Sequence, residues 1–122
     1  MSSKELAISF LKMVVDHKIR DAYDKFIAPD FIHHNQYFMG DRQTLMLAME
    51  EADKKNPNKS FEVKHAYEAG DTAIIHSKVV QKAGDNEIAV IHILRFKNGK
   101  CVEMWDVGQV LDPKSPNENG PF

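Results

Sequence analysis

His92 interrupts an otherwise apolar run from Ile88 to Phe96, and it shares alternating parity with Ile88, Val90, Leu94 and Phe96. An imidazole among apolar side chains costs free energy unless it finds a partner. A shielded histidine with a pKa near neutrality is also the side chain best suited to general acid–base work. It is either a core histidine satisfied by a neighbour or a proton carrier. Asp106 is the second candidate: it follows Trp105 and shares parity with Val102, Met104, Gly108 and Val110. A carboxylate on an apolar face must be paired or must line a wet cavity. Gly108, one step along, leaves room for another group. The opposite assignment, with Glu103, Trp105 and Gln109 facing inward, is also compatible with the alternation. His33, His34 and Asn35 follow Phe31 and Ile32 on a short extended stretch. Adjacent side chains point to opposite sides there, so one histidine alone can face inward.

Such groups could remove a proton beside a carbonyl or activate a water, and neither task requires a cofactor. The histidine spacing lacks the i, i+2 or i, i+4 pairing that would specify a metal site, and none is expected. The chain has no Gly-rich phosphate loop, nucleophile elbow or His-Glu-x-x-His helix. Its one cysteine, Cys101, excludes an internal disulfide and a cysteine-based zinc cluster. Sixteen basic against 18 acidic side chains is far from the positive charge density that a row of phosphates demands, so nucleic acid is not an expected partner. No apolar run reaches the length of a membrane span or a signal segment, which leads to the expectation of a cytoplasmic, soluble protein.

The elements that must position these residues divide the chain in two. Ser2 with Glu5 is a capping-box pattern, and Leu6, Ala7, Phe10, Leu11, Met13 and Val14 recur at helical spacing over residues 3–16. Ala22, Tyr23, Phe26 and Ile27 mark a shorter helix stopped by Pro29. Asp41 caps a third, with Leu45, Ala48, Met49 and Ala52 on its apolar side. After the polar exit around Asn56-Pro57-Asn58 the period changes to two. Turn signals at Gly70-Asp71, Gly84-Asp85 and Asn98-Gly99 separate strands over 61–69, 72–82, 86–97 and 100–111, joined as an antiparallel meander. Helices first and sheet afterwards is an α+β architecture: a single domain over residues 1–111, followed by an extended Pro-rich tail over 112–122.

The strands over 72–82 and 86–97 are apolar at both parities, whereas a sheet wet on one side alternates cleanly. Three short helices cannot cover both faces, so the second face is expected to meet a partner subunit in a homodimer. Methionines at 13, 46, 49 and 104 suit an adaptable apolar cavity under the helices.

Taken together, FIHHNQ at 31–36, Gly40-Asp41-Arg42, VIHILRF at 90–96, the Asn-Gly-Lys turn and VEMWDVGQ at 102–109 resemble the SnoaL-like, polyketide cyclase-like branch of the nuclear transport factor 2-like superfamily. The resemblance runs from about residue 5 to 111. It implies a cone-shaped α+β barrel in which a strongly curved sheet wraps a long helix around an apolar pocket, commonly in homodimers. The superfamily includes polyketide cyclases, ketosteroid isomerase, scytalone dehydratase and limonene-epoxide hydrolase, along with non-catalytic members, so fold alone does not name a reaction. By this resemblance His92 stands where the cyclases and the isomerase place a pocket aspartate. Asn35 stands at the isomerase's base and Leu11 at its tyrosine donor, and neither can do those jobs. His34 matches a histidine frequent in SnoaL-like sequences, Asp106 matches their Trp-Asp pair, and His76 resembles a further polar pocket position.

Two functions follow. One is a cofactor-free acid–base enzyme of cyclase, isomerase or hydrolase type acting on a small apolar carbonyl or hydroxyl compound. In it His92, Asp106 and His34 do the chemistry, while Asn35, Met104, Val90, Leu11 and His76 hold the substrate. The other is a non-catalytic ligand-binding or dimerisation module with the same pocket.

Overall fold

A computed structural model describes all 122 residues. Helix α1 (Ser3–Val15) opens on the capping box, in which Ser2 accepts from the Glu5 amide while the Glu5 carboxylate accepts from the Ser2 amide. Its inward positions are Ala7, Phe10, Leu11 and Val14, the i, i+3, i+4, i+7 spacing of one helical face. Helix α2 (Ile19–Phe26) buries Ile19, Ala22, Tyr23 and Phe26. Phe10 of α1 meets the Tyr23 ring edge-on at 5.6 Å and the Phe26 ring at 6.4 Å, which locks the two helices together. Helix α3 (Arg42–Lys55) starts at Asp41, whose carboxylate accepts from the Thr44 amide at 3.0 Å.

The meander is present as β2 (Ser60–Ala69), β3 (Thr72–Val80), β4 (Ile88–Lys97) and β5 (Lys100–Val110), each antiparallel to the next. Asn98 and Gly99 both have positive φ, as the tight turn from β4 to β5 requires. The sheet holds one strand more than the sequence suggests. β1 (Ile27–His33) follows α2 without a connecting loop and pairs parallel to β5, giving the order β1-β5-β4-β3-β2. Pro29 ends the helix, as expected, yet lies inside this strand. It is tolerated because β1 is an edge strand and its register with β5 shifts between Ile27 and Ile32.

All three helices pack on one face of the sheet and close the core over Ala73, Ile75, Leu94, Phe96, Cys101 and Met104. Ser3 and Lys4 tie the start of α1 to Glu68 at the far end of β2. Along the same face the strand ends bearing Val79, Ile88 and Val90 are half-buried, and Gly108 and Val110 are exposed. The opposite face presents Ile74, Ile91, Ile93 and Trp105, all half-buried, with Tyr67 and Val107 exposed. The segment after Val110 forms no helix or strand. It does not run on extended: Asp112, Ser115 and Asn117 each accept from a backbone amide two residues ahead, and the Phe122 ring comes within 5.3 Å of His76. No helix is long and apolar enough to cross a membrane.

Candidate functional site

The register of β4 and β5 sets His92 directly opposite Asp106, and that of β3 and β4 sets Ile75 opposite His92. Ile75 is fully buried in the core, so all three belong to the helix-covered face. The even positions of β5, Met104, Asp106 and Gly108, therefore face inward, and Glu103, Trp105 and Gln109 face out. Asn35 reaches the pair from the segment after β1, its side-chain amide donating to Asp106 Oδ2 at 3.1 Å. Asn35 is itself fixed, since its Oδ1 accepts from the Tyr37 amide at 3.0 Å and its own amide donates to His33 Nδ1 at 3.2 Å.

His92 is half-buried overall, but its Nδ1 is sealed from solvent and has no hydrogen-bond partner. Burial pushes the imidazole below its usual pKa, because the charged ring loses more hydration than the neutral one; the carboxylate of Asp106 opposes this in part. The resting site is a neutral imidazole with a free ring nitrogen, a carboxylate across the ladder, and an amide steadying that carboxylate. Such a set can take a proton at the imidazole and stabilise the resulting cation.

Two predicted residues are elsewhere. His34 faces outward: it stacks on Trp105 at 4.9 Å, and its Nε2 lies 2.7 Å from Glu103. Glu103 also takes the Arg95 guanidinium at 2.8 Å, and that bond, with His34 adding to it, holds its carboxyl below the usual range. The inward histidine is His33, buried at 6% exposure, paired in register with Met104 and with its Nε2 2.7 Å from the Met39 carbonyl. With its Nδ1 accepting and its Nε2 donating, it is a neutral strut for the 33–40 segment. His76 also faces outward, between His65 at 5.4 Å and Phe122, because Ala73, Ile75 and Ser77 take the inward parity of β3. Leu11 and Met104 are on the inner side but closed within the core, and Val90 is half-buried beside His92 on the same face. Gly108 does not open a hole: a Cβ there would make ordinary contacts of 3.6–3.7 Å with Ile88, Ala89 and Val90.

Ser77 was missed. It is fully buried on the inner face, and its hydroxyl has no partner. The signal was legible as a lone hydroxyl at the parity of Ala73, Ile75 and Val79.

The main clefts lie away from this group. One of about 580 Å³ runs between the C-terminal segment and the ends of β4 and β5, lined by Asp85, Glu87, Gln109 and Asp112 among others. Another of about 800 Å³ lies between β1 and the start of α3, lined by Pro29, Phe31, Asp41 and Arg42 among others. Neither is lined by His92, Asp106 or Asn35. Nowhere do three His, Cys, Asp or Glu side chains converge as a metal site would require.

Residues 8–104 match the SnoaL-like domain. Among solved structures, AclR from Streptomyces galilaeus, provisionally described as a hydroxylase, superposes with a TM-score of 0.75 at 23% identity over 88% of each chain. IdmH from Streptomyces antibioticus, provisionally described as a polyketide cyclase, gives 0.75 at 15% identity over 88% of this chain and 92% of its own. A SnoaL-like protein of unknown function from Burkholderia thailandensis gives 0.73 at 11% identity over 88% and 93%. A search of curated proteins finds no match. At these identities the superpositions establish the cone-shaped α+β fold and leave the chemistry to the residues.

Proposed function

The chain belongs to the SnoaL-like domain family, and from that premise we propose that it is a cofactor-free acid–base enzyme of cyclase, isomerase or hydrolase type. Its substrate is a small, mostly apolar carbonyl or hydroxyl compound bound on the inner face of the sheet. His92 is the base, Asp106 stabilises the imidazolium that forms, and Asn35 fixes Asp106. The observation that carries this reading is the sealed, unpartnered Nδ1 of a half-buried histidine opposite a carboxylate. Most buried ring nitrogens are hydrogen-bonded, so an unpaired one calls for an account. Val90 and the adjoining half-buried strand ends supply apolar contact. Within this reading the outer sheet face joins two copies as a homodimer.

The test needs no knowledge of the natural substrate. Enolisable cyclic ketones in D2O, followed by proton NMR, report α-proton exchange directly. The wild type is expected to accelerate exchange, and His92→Asn to lower that acceleration by about 10²–10⁴-fold with fold retained. The position of the main clefts, away from His92, favours a second reading as a non-catalytic ligand-binding module. Ketone binding without any exchange would select it.

A further inference from the structure

The segment after Val110 crosses the outer face of the sheet. It leaves β5 with the Leu111 amide donating to the Glu87 carbonyl at 2.8 Å. It then roofs the cleft of about 580 Å³ that Gln109 helps to line. Beyond the cleft it brings the Phe122 ring to 5.3 Å from the His76 ring of β3 and 5.6 Å from the Lys64 ammonium of β2. Register shows what that ring covers. His65, His76, Ile91 and Val107 form one row across β2–β5, and Tyr67, Ile74, Ile93 and Trp105 form the next. Phe122 therefore sits on the row that runs straight into the apolar part of the face. Its hold is light. Residues 112–121 are all exposed and Phe122 itself is only half-buried, so the ring's contacts with His76 and Lys64 are what anchor the segment there.

We infer that this segment is a strap that competes with a second copy of the chain for the outer face, so that dimerisation requires Phe122 to leave its seat. The inference rests on the reading of the outer face as the homodimer surface. Area decides the competition. With strands about 4.8 Å apart and a rise of about 3.3 Å per residue, β2–β5 over the nine residues of β3 outline a face about 19 Å by 30 Å, or about 570 Å². A specific interface takes at least about 500 Å² from each copy. A partner of that size needs nearly the whole face and cannot leave the His76 end to Phe122. Each copy must clear its own face, so the strap acts twice. A strap seated about ten times as often as it is free weakens the dimer about a hundredfold, since only the freed fraction of each copy can pair.

Two readouts on Phe122→Ala test this. The first is the dimer dissociation constant by analytical ultracentrifugation over nanomolar to millimolar chain, expected to fall by about a hundredfold relative to wild type. The second is the ring-proton NMR of His76 in an Ile93→Glu background, where a charge on the neighbouring row keeps the chain single. There Phe122→Ala is expected to shift the His76 signals, because the ring that shields them is gone. Phe122→Tyr keeps the ring and should match wild type in both; a tyrosine variant that behaves like the alanine one would overturn the ring's role as anchor. Unmoved His76 signals would show that Phe122 is not seated and overturn the strap, leaving the homodimer reading untouched. Shifted signals with an equal or weaker dimer would overturn the competition, since the segment would then lie outside the interface or belong to it. Wild type and Phe122→Ala both remaining single at millimolar chain would overturn the homodimer reading and the inference with it.

Discussion

At His92, burial favours the neutral ring and Asp106 favours the charged one, and burial prevails. Asp106→Asn is therefore expected to lower the histidine pKa further, as followed by NMR of the ring protons; an unchanged titration would show that the two do not share a site. The same balance sets a pH dependence of stability. The folded-state pKa lies below the ordinary value of about 6.5, so between the two values the unfolded chain binds the proton and the folded chain does not. Stability contributed by the neutral ring is full above that window and falls as pH drops through it. Denaturation of wild type and His92→Leu at a series of pH values should show a smaller acid loss in the variant. How much of the site could be read from sequence also becomes plain at this scale. His92, Asp106 and Asn35 stood out because each is polar at an apolar parity or next to one, and the structure brings them together. His33 and His34 could not be separated, since alternation says that one faces inward without saying which; pairing with β5 decides it. His76 was ambiguous for the same reason, in a strand with isoleucine and valine at both parities.

Among the elements, α3 depends on Asp41 in two ways. Its carboxylate caps the helix, and its backbone bridges to Ile32 at the end of β1. The segment closed between them carries Asn35. Asp41→Ala is expected to destabilise the fold by about 1 kcal/mol, read as a lower denaturation midpoint at unchanged slope. The three helices were legible from their apolar period, α1 and α3 also from their caps, and the four meander strands from the turn residues between them, although β3 and β4 are apolar at both parities. β1 was not legible. It is short, contains Pro29, and earns its place by pairing with β5, a strand about 70 residues later that no local pattern reveals.

For the whole molecule, the outer sheet face sets Ile91, Ile93, Ile74 and Trp105 side by side, half-buried, and the proposed homodimer would form there. A dimer closing over it should bury at least about 1,000 Å². Light scattering at micromolar concentration is expected to give about twice the 13.9 kDa of one chain, and Ile91→Glu with Ile93→Glu should halve that mass without loss of secondary structure. A wild-type monomer would remove the claim. The helical layer and the sheet, finally, are not two plates free to slide. Phe26 is the last residue of α2 and Ile27 the first of β1, so the layers share a rigid weld. One residue inserted there would either roll α2 by about 100° or invert β1. The inversion would turn Phe31 out to water and exchange His33 for His34 on the inner face. The weld is thus where the chain should tolerate a change of length least, and it keeps the histidine strut, and Asn35 beyond it, in phase with the core.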